Sequence, residues 1–152
     1  MTAPVPTRPR RVAYLGNPEV AVPPLRSLVD AAPSLGLEVV LAVTSSPRRR
    51  GRRAEPTPTP VGAAAAAIGV PVAHDLNVLS GVDADLAVVV AYGQIIPVDL
   101  LEKVPMVNLH FSLLPRWRGA APVEHALMAG DDKTGVCLID VAEGLDTGGG
   151  RA

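Results

Sequence analysis

Short continuous apolar runs along the chain alternate with segments whose apolar residues recur at helical spacing. Arg11 to Gly16 (RVAYLG) is the first run; it ends in the turn signal Gly16-Asn17-Pro18 and reads as a buried strand. Leu25, Leu28 and Val29 then fall on one helical face, with Pro23 and Pro24 tolerable only in the first turn, where no internal hydrogen bond is lost. Glu38 to Thr44 (EVVLAVT) is a second β-branched run. Gly62 to Gly69 is alanine-rich and favours helix, and Val70 to Ala73 predicts a brief edge strand. Ala84 to Tyr92 (ADLAVVVAY) is almost uninterruptedly apolar, as expected of a strand covered on both faces in a parallel sheet. A short helix at 97–103, a strand at Met106 to His110, a helix from Pro122 to Ala129 and a strand from Gly135 to Val141 complete the pattern. This alternation predicts an α/β fold with a mainly parallel, three-layer sheet. Residues 1–10 read as an unstructured lead-in, and residues 45–60 show no periodicity.

Composition narrows the class. The chain has 152 residues, 48% of them hydrophobic, enough for one core in one domain. No apolar run approaches the roughly 20 residues of a membrane span, and the N-terminus does not lead into a signal-peptide core. With a single cysteine, Cys137, there is no internal disulfide, and a cytoplasmic location is expected. The net charge of −1 hides an asymmetry: residues 1–53 carry +6 and residues 54–152 carry −7. Arg48, Arg49, Arg50, Arg52 and Arg53 crowd one short stretch. Such a patch can meet phosphates, although on charge alone a solvated loop is the simpler reading.

Several chemistries lack their residues. The first strand-to-helix turn has no G-x-G-x-x-G fingerprint, and no phosphate loop of the G-x-x-x-x-G-K type occurs. His74, His110 and His125 are scattered without ligand spacing, so no metal is expected. Cys137 reads as a small core residue and His125 as a surface side chain. The informative stretch is Val107 to Pro122 (VNLHFSLLPRWRGAAP). Asn108 and His110 are two apart on a strand and leave the same face, at the carboxyl end where α/β proteins place ligands. An amide and an imidazole there suit a developing oxyanion; a strand end that merely faces water fits equally well. Leu113 and Leu114, in a tight loop, either cover a flat apolar ligand or pack under a neighbouring helix. In Gly144-Leu145-Asp146-Thr147-Gly148, the acid could reach and orient His110, or simply bond its own turn.

Taken together, Asn108-x-His110, Ser112-Leu113-Leu114-Pro115 and the downstream Asp146 resemble the folate-dependent formyltransferases. Arg116-Trp117-Arg118-Gly119-Ala120-Ala121-Pro122 is most similar to the branch of that family that acts on methionyl-tRNA; the purine-pathway branch usually has proline where this chain has Phe111. Similar motifs run from Leu15-Gly16-x-Pro18-Glu19 through Val90-Ala91-Tyr92-Gly93-Gln94 to Gly130-Asp131-x-x-Thr134-Gly135-Val136. The resemblance implies a Rossmann-like formyltransferase domain over residues 11–152, monomeric, using 10-formyltetrahydrofolate and initiator methionyl-tRNA. It implies that Asn108 and His110, as imidazolium, donate to the formyl oxygen while Asp146 orients His110 and helps remove the amine proton through water. Ser112, Leu113, Leu114 and Pro115, with Val90, Ala91, Tyr92, Gly93 and Gln94, would line the folate pocket. Arg48 to Arg53 would meet the tRNA acceptor end. In the family, an apolar strand, further helix and a separate β-barrel follow the Asp146 motif. Here Gly149-Gly150-Arg151-Ala152 follow, so the domain is expected to be C-terminally incomplete and Asp146 poorly held. Formyl transfer to a sugar-nucleotide amine, and an inactive folate-binding fragment, are the alternative readings.

Overall fold

The computed structural model of the chain describes residues 1–143 and 146–151. In chain order the elements are β1 (Arg11–Gly16), α1 (Val22–Leu35), β2 (Glu38–Val43), β3 (Arg48–Arg49), β4 (Pro56–Thr57), α2 (Pro60–Ala67), β5 (Val72–Ala73), β6 (Leu86–Val90), α3 (Val98–Leu101), β7 (Met106–His110), α4 (Pro122–Ala129), β8 (Cys137–Asp140) and β9 (Gly150–Arg151). Single 3-10 turns occupy Glu19–Ala21 and Leu76–Ser80. Local chemistry accounts for the helix ends. α1 carries Pro23 and Pro24 in its first turn and Pro33 near its end, and stops at Gly36, whose left-handed φ of 66° lets its N–H bond back to Ala32 and Pro33. α2 starts at Thr59, whose side chain accepts the Gly62 N–H at 3.0 Å.

The main sheet has the order β5-β2-β1-β6-β7-β8-β9; the strands from β5 to β7 are parallel, β8 pairs antiparallel with β7, and β9 pairs antiparallel with β8. Alternation along the central strands supplies two cores. Tyr14, Ala42 and Val90 face α1 and α2 with Leu25, Val61 and Ala65, while Ala13, Leu15, Val43 and Val89 face Leu79 and the α3 residues Leu100 and Leu101. The three-layer α/β architecture is therefore the one its hydrophobic pattern predicts. The chain leaves β1 toward β2 and later crosses to β6 on the other side, so the carboxyl ends of β1 and β6 flank the position where the strand order reverses.

Four features differ from the sequence reading. The stretch 45–60 contains the β3/β4 pair, an antiparallel hairpin too short and too exposed to leave a periodic signal. β8 begins at Cys137 rather than Gly135, and Cys137 is half-buried opposite His110 instead of lying in the core. The lead-in 1–10 lacks regular structure up to Arg10 but lies against α3: the Ala3 N–H donates to the Leu101 carbonyl at 2.8 Å, and the Met1 amino group pairs with Glu102 at 2.8 Å. That ammonium holds the Glu102 carboxyl below its usual range. Finally, β9 closes the sheet edge against β8.

Candidate active site

β7 delivers Met106, Asn108 and His110 to the same side of the sheet, Met106 into the α3-side core and the other two toward its carboxyl end. There they meet Asp146. The Asn108 Nδ2 donates to Asp146 Oδ1 at 3.1 Å, and His110 Nδ1 lies 3.4 Å from Asp146 Oδ2. The Gly119 N–H donates to the same Oδ2 at 2.7 Å, a charge-assisted bond worth roughly 1.5–3 kcal/mol. His110 is 5% exposed and Asp146 12%, so these contacts sit largely out of solvent. On its other side, His110 Nε2 meets the Trp117 carbonyl at 2.8 Å. Both ring nitrogens thus face protein oxygens, Nε2 at 2.8 Å and Nδ1 at 3.4 Å. Asn108 keeps its second amide hydrogen for a ligand.

The loop between β7 and α4 is shaped by its main chain. Among the described residues, the non-glycine residues with left-handed φ are Ala91 (47°), Trp117 (60°), Ala121 (57°) and Asp146 (50°). Each such residue costs roughly 1–2 kcal/mol, and all four lie at this site. Gly148 is needed for a different reason: a Cβ there would stand 1.6 Å from the Asp140 carbonyl oxygen, so only glycine lets the Asp146 segment run against β8. Arg116 and Trp117 are gripped from outside by Asp131, which accepts from Arg116 Nε at 2.8 Å, Arg116 Nη2 at 2.7 Å and Trp117 Nε1 at 2.6 Å. Those donors, Arg116 first, depress the Asp131 carboxyl to about 2, and the Asp131 carboxylate in turn raises the Arg116 guanidinium. The guanidinium also lies 4.4 Å over the Trp117 ring, and His125 meets that ring edge-on at 5.5 Å.

Asn108, His110 and Asp146 open onto a cavity of about 780 Å³ whose walls are apolar at Ile95, Ile96, Val98, Leu101 and Val141. Ile95 is 93% exposed, a large apolar side chain with nothing packed on it. Residues Ala91 to Gln94 line this cavity and also a second one of about 450 Å³, which Asn17, Ser45, Arg48, Arg50 and Thr59 bound on the far side. Asn17 ties the second cavity to the first: its amide donates to the Tyr92 carbonyl, and its oxygen accepts from Thr44 Oγ1 at 2.9 Å and Ser45 N–H at 2.7 Å. Gln94 reaches across to Ser45 Oγ at 3.0 Å. Burial, with a smaller contribution from Asp75, raises the Tyr92 hydroxyl.

The Formyl transferase family model matches residues 10–149. The chain belongs to that family. It is 48% identical to the methionyl-tRNA formyltransferase of Cutibacterium acnes over 149 residues, which cover 91% of this chain and 46% of that protein. The chain therefore spans about half the length of the curated relatives it matches. Among solved structures, glycinamide ribonucleotide transformylase 1 from Geobacillus kaustophilus is 27% identical with a TM-score of 0.74, covering 95% of this chain and 80% of that one. Phosphoribosylglycinamide formyltransferase from Bacillus halodurans has the same fold, with a TM-score of 0.75 at 24% identity, covering 94% and 77%.

Within this formyl transferase fold, Asn108, His110 and Asp146 converge, and Ala91, Tyr92, Gly93 and Gln94 line the cavity beside them. Asp146 is held by Asn108 and Gly119, against the expectation of a poorly supported acid. Its motif neighbours Gly144 and Leu145 lie outside the described residues. Two groups of residues expected at the pocket sit elsewhere. Val90 is fully buried in the α1-side core. Ser112 is also fully buried and donates to the Arg116 carbonyl at 2.6 Å, Leu113 lies over Gly135, and neither they nor Leu114 and Pro115 border the cavity. Only Ser112 is tucked under the loop; Leu113 and Pro115 are exposed, and the segment lies off the ligand space. Arg48, Arg49, Arg50, Arg52 and Arg53 are all exposed and form no ion pair with another described residue; Arg48 and Arg50 face the second cavity. Ile95 was not anticipated, and Gly119 and Asp131 were matched as motif positions without a role. A strand-end rule could have found Asn17, which follows β1 at the reversal of strand order.

Proposed function

We propose that the chain transfers a formyl group from 10-formyltetrahydrofolate to the methionine amine of initiator methionyl-tRNA. The observation that carries this reading is the convergence of Asn108, His110 and Asp146 at the mouth of an apolar cavity. The cavity's size and its apolar walls ending in a few polar groups fit a flat, partly apolar molecule such as a folate. 10-Formyltetrahydrofolate supplies a formyl carbon open to attack by an amine. Asn108 turns its spare N–H to the formyl oxygen as negative charge builds there, and His110 adds a second donor by releasing a ring N–H from one of its protein acceptors. Asp146 keeps the imidazole oriented and, through water, takes up the proton that the amine sheds on forming its new bond to carbon. The tetrahedral adduct then collapses, the bond from the formyl carbon to N10 breaks, and N10 leaves with a proton returned through that water to give tetrahydrofolate. The Arg48–Arg53 stretch supplies long-range attraction for phosphates of the tRNA, guiding its end to the second cavity beside the reacting groups.

The test is release of tetrahydrofolate from 10-formyltetrahydrofolate with and without methionyl initiator tRNA, with His110→Ala as control. Release that requires both the tRNA and His110 supports the proposal. Release with a sugar-nucleotide amine but not with the tRNA replaces the acceptor, and no release by the folded chain overturns the reading as an enzyme.

A further inference from the structure

Two bonds connect the reacting end of the site to a single loop: the Trp117 carbonyl receives His110 Nε2 at 2.8 Å, and the Gly119 N–H reaches Asp146 at 2.7 Å. The loop is not regular structure, and Trp117, Gly119 and Ala121 all adopt left-handed φ, so its path depends on what grips it from outside. That grip comes from Asp131, which lies off the cavity. Asp131 follows Gly130, the residue that terminates α4, and its own N–H is fixed to the Ala126 carbonyl at 3.0 Å. Its carboxylate holds the fork of Arg116 and the indole N–H of Trp117 together. A single group that clamps the side chains of two consecutive residues fixes the peptide geometry beside them, and with it the direction of the Trp117 carbonyl. We propose that Asp131 is a positioning residue for formyl transfer, acting through Arg116 and Trp117 to set the orientation of the His110 ring and, through Gly119, of the Asp146 carboxylate. The inference rests on the reading of His110 and Asp146 as groups that serve the reaction.

A purely structural staple between α4 and the loop would use the same bonds, and the two roles separate in their readouts. Asp131→Asn and Asp131→Glu, made in the whole chain, are compared for melting temperature, kcat, KM for the formyl donor, and the ¹⁵N signals of the His110 ring. Trp117, as the chain's single tryptophan, reports the loop directly by its emission. A positioning role predicts that Asp131→Asn lowers kcat about tenfold to a hundredfold while KM stays within about twofold, because misplacement acts on the transition state. It also predicts that the His110 Nε2 signal and the Trp117 emission move together and that Asp131→Glu recovers part of each. A lowered melting temperature with wild-type kcat and an unmoved His110 signal overturns the proposal. If the wild-type chain itself transfers no formyl group, the functional reading fails, and the His110 ring signals alone decide the role of Asp131. Should Asp131→Asn not fold, Arg116→Lys, which keeps the charge and loses the fork, tests the same link.

Discussion

On one side of the Ala91–Gln94 segment, the polar groups at the end of β7 are tied to partners: Asn108 to Asp146, His110 to Asp146 and Trp117, and Asp146 to Gly119. On the other side, five arginines stand in solvent on and beside a hairpin with two residues per strand. The difference follows from the reach of the forces involved. A displacement of about 1 Å can cost a reacting group roughly a hundredfold in rate, so its partners must be fixed. Attraction between guanidinium and phosphate acts across a Debye length of about 8 Å in physiological salt, so an arginine serves it from many positions. Spending structure on the first side and leaving the second loose is what these two ranges favour.

The sharpest way to break the ordered side is His110→Ala, expected to lower formyl transfer by about a thousandfold while the affinity for the formyl donor changes little. Loss of donor binding in equilibrium titration would make His110 a pocket residue instead. Next in size is Gly148→Ala. Its methyl must displace the Asp140 carbonyl, so a loss of roughly 1–3 kcal/mol in thermal melts is expected. Two residues away, Asp146 should shift, and the rate should fall by about a hundredfold. An unchanged melt and rate would mean that the segment simply moves aside. On the loose side, replacing Arg48, Arg49, Arg50, Arg52 and Arg53 by glutamine should flatten the salt dependence of tRNA binding, by roughly 0.7–0.9 in log–log slope for each phosphate no longer neutralised. Saturating tRNA should restore kcat, and an unchanged slope would remove these residues from the interface.

The smallest effect concerns pH. Asp131 has its folded-state value depressed from 3.8 to about 2, so its contribution to stability is complete above about pH 4 and is lost as pH falls toward 2. Melting temperatures of the wild type and Asp131→Asn should therefore converge over that interval, and a gap that persists below it would contradict the ion pair with Arg116.

Where a short apolar run was sharply bounded, as in Arg11–Gly16 and Met106–His110, the strand bounds were legible in the sequence. So was the pairing of Asn108 with His110 on one face, because period two decides it. The β3/β4 hairpin was not legible, since two exposed residues per strand leave no periodic trace. Nor was the role of Ser112: a small polar residue in a loop gives no hint that it will be fully buried under the Arg116 carbonyl. The support of Asp146 was missed for a related reason. It comes from a main-chain amide at Gly119 and from the fit of Gly148 against β8, and neither a backbone donor nor a close approach is visible in side-chain pattern.

The left-handed alanines at positions 91 and 121 bear on how this cavity can adapt. Its bends are made by main chain, so exchanging the exposed Ile95 or Val98 repaints the wall without moving it. Glycine at 91 or 121 does the opposite. It relieves roughly 1–2 kcal/mol of conformational strain while adding unfolded-chain freedom worth roughly 0.5–1 kcal/mol, so stability changes little and the mouth slackens. A β-branched residue at either position would deepen the strain. Accommodation of a differently shaped ligand therefore runs through the apolar wall, while the opening keeps its outline.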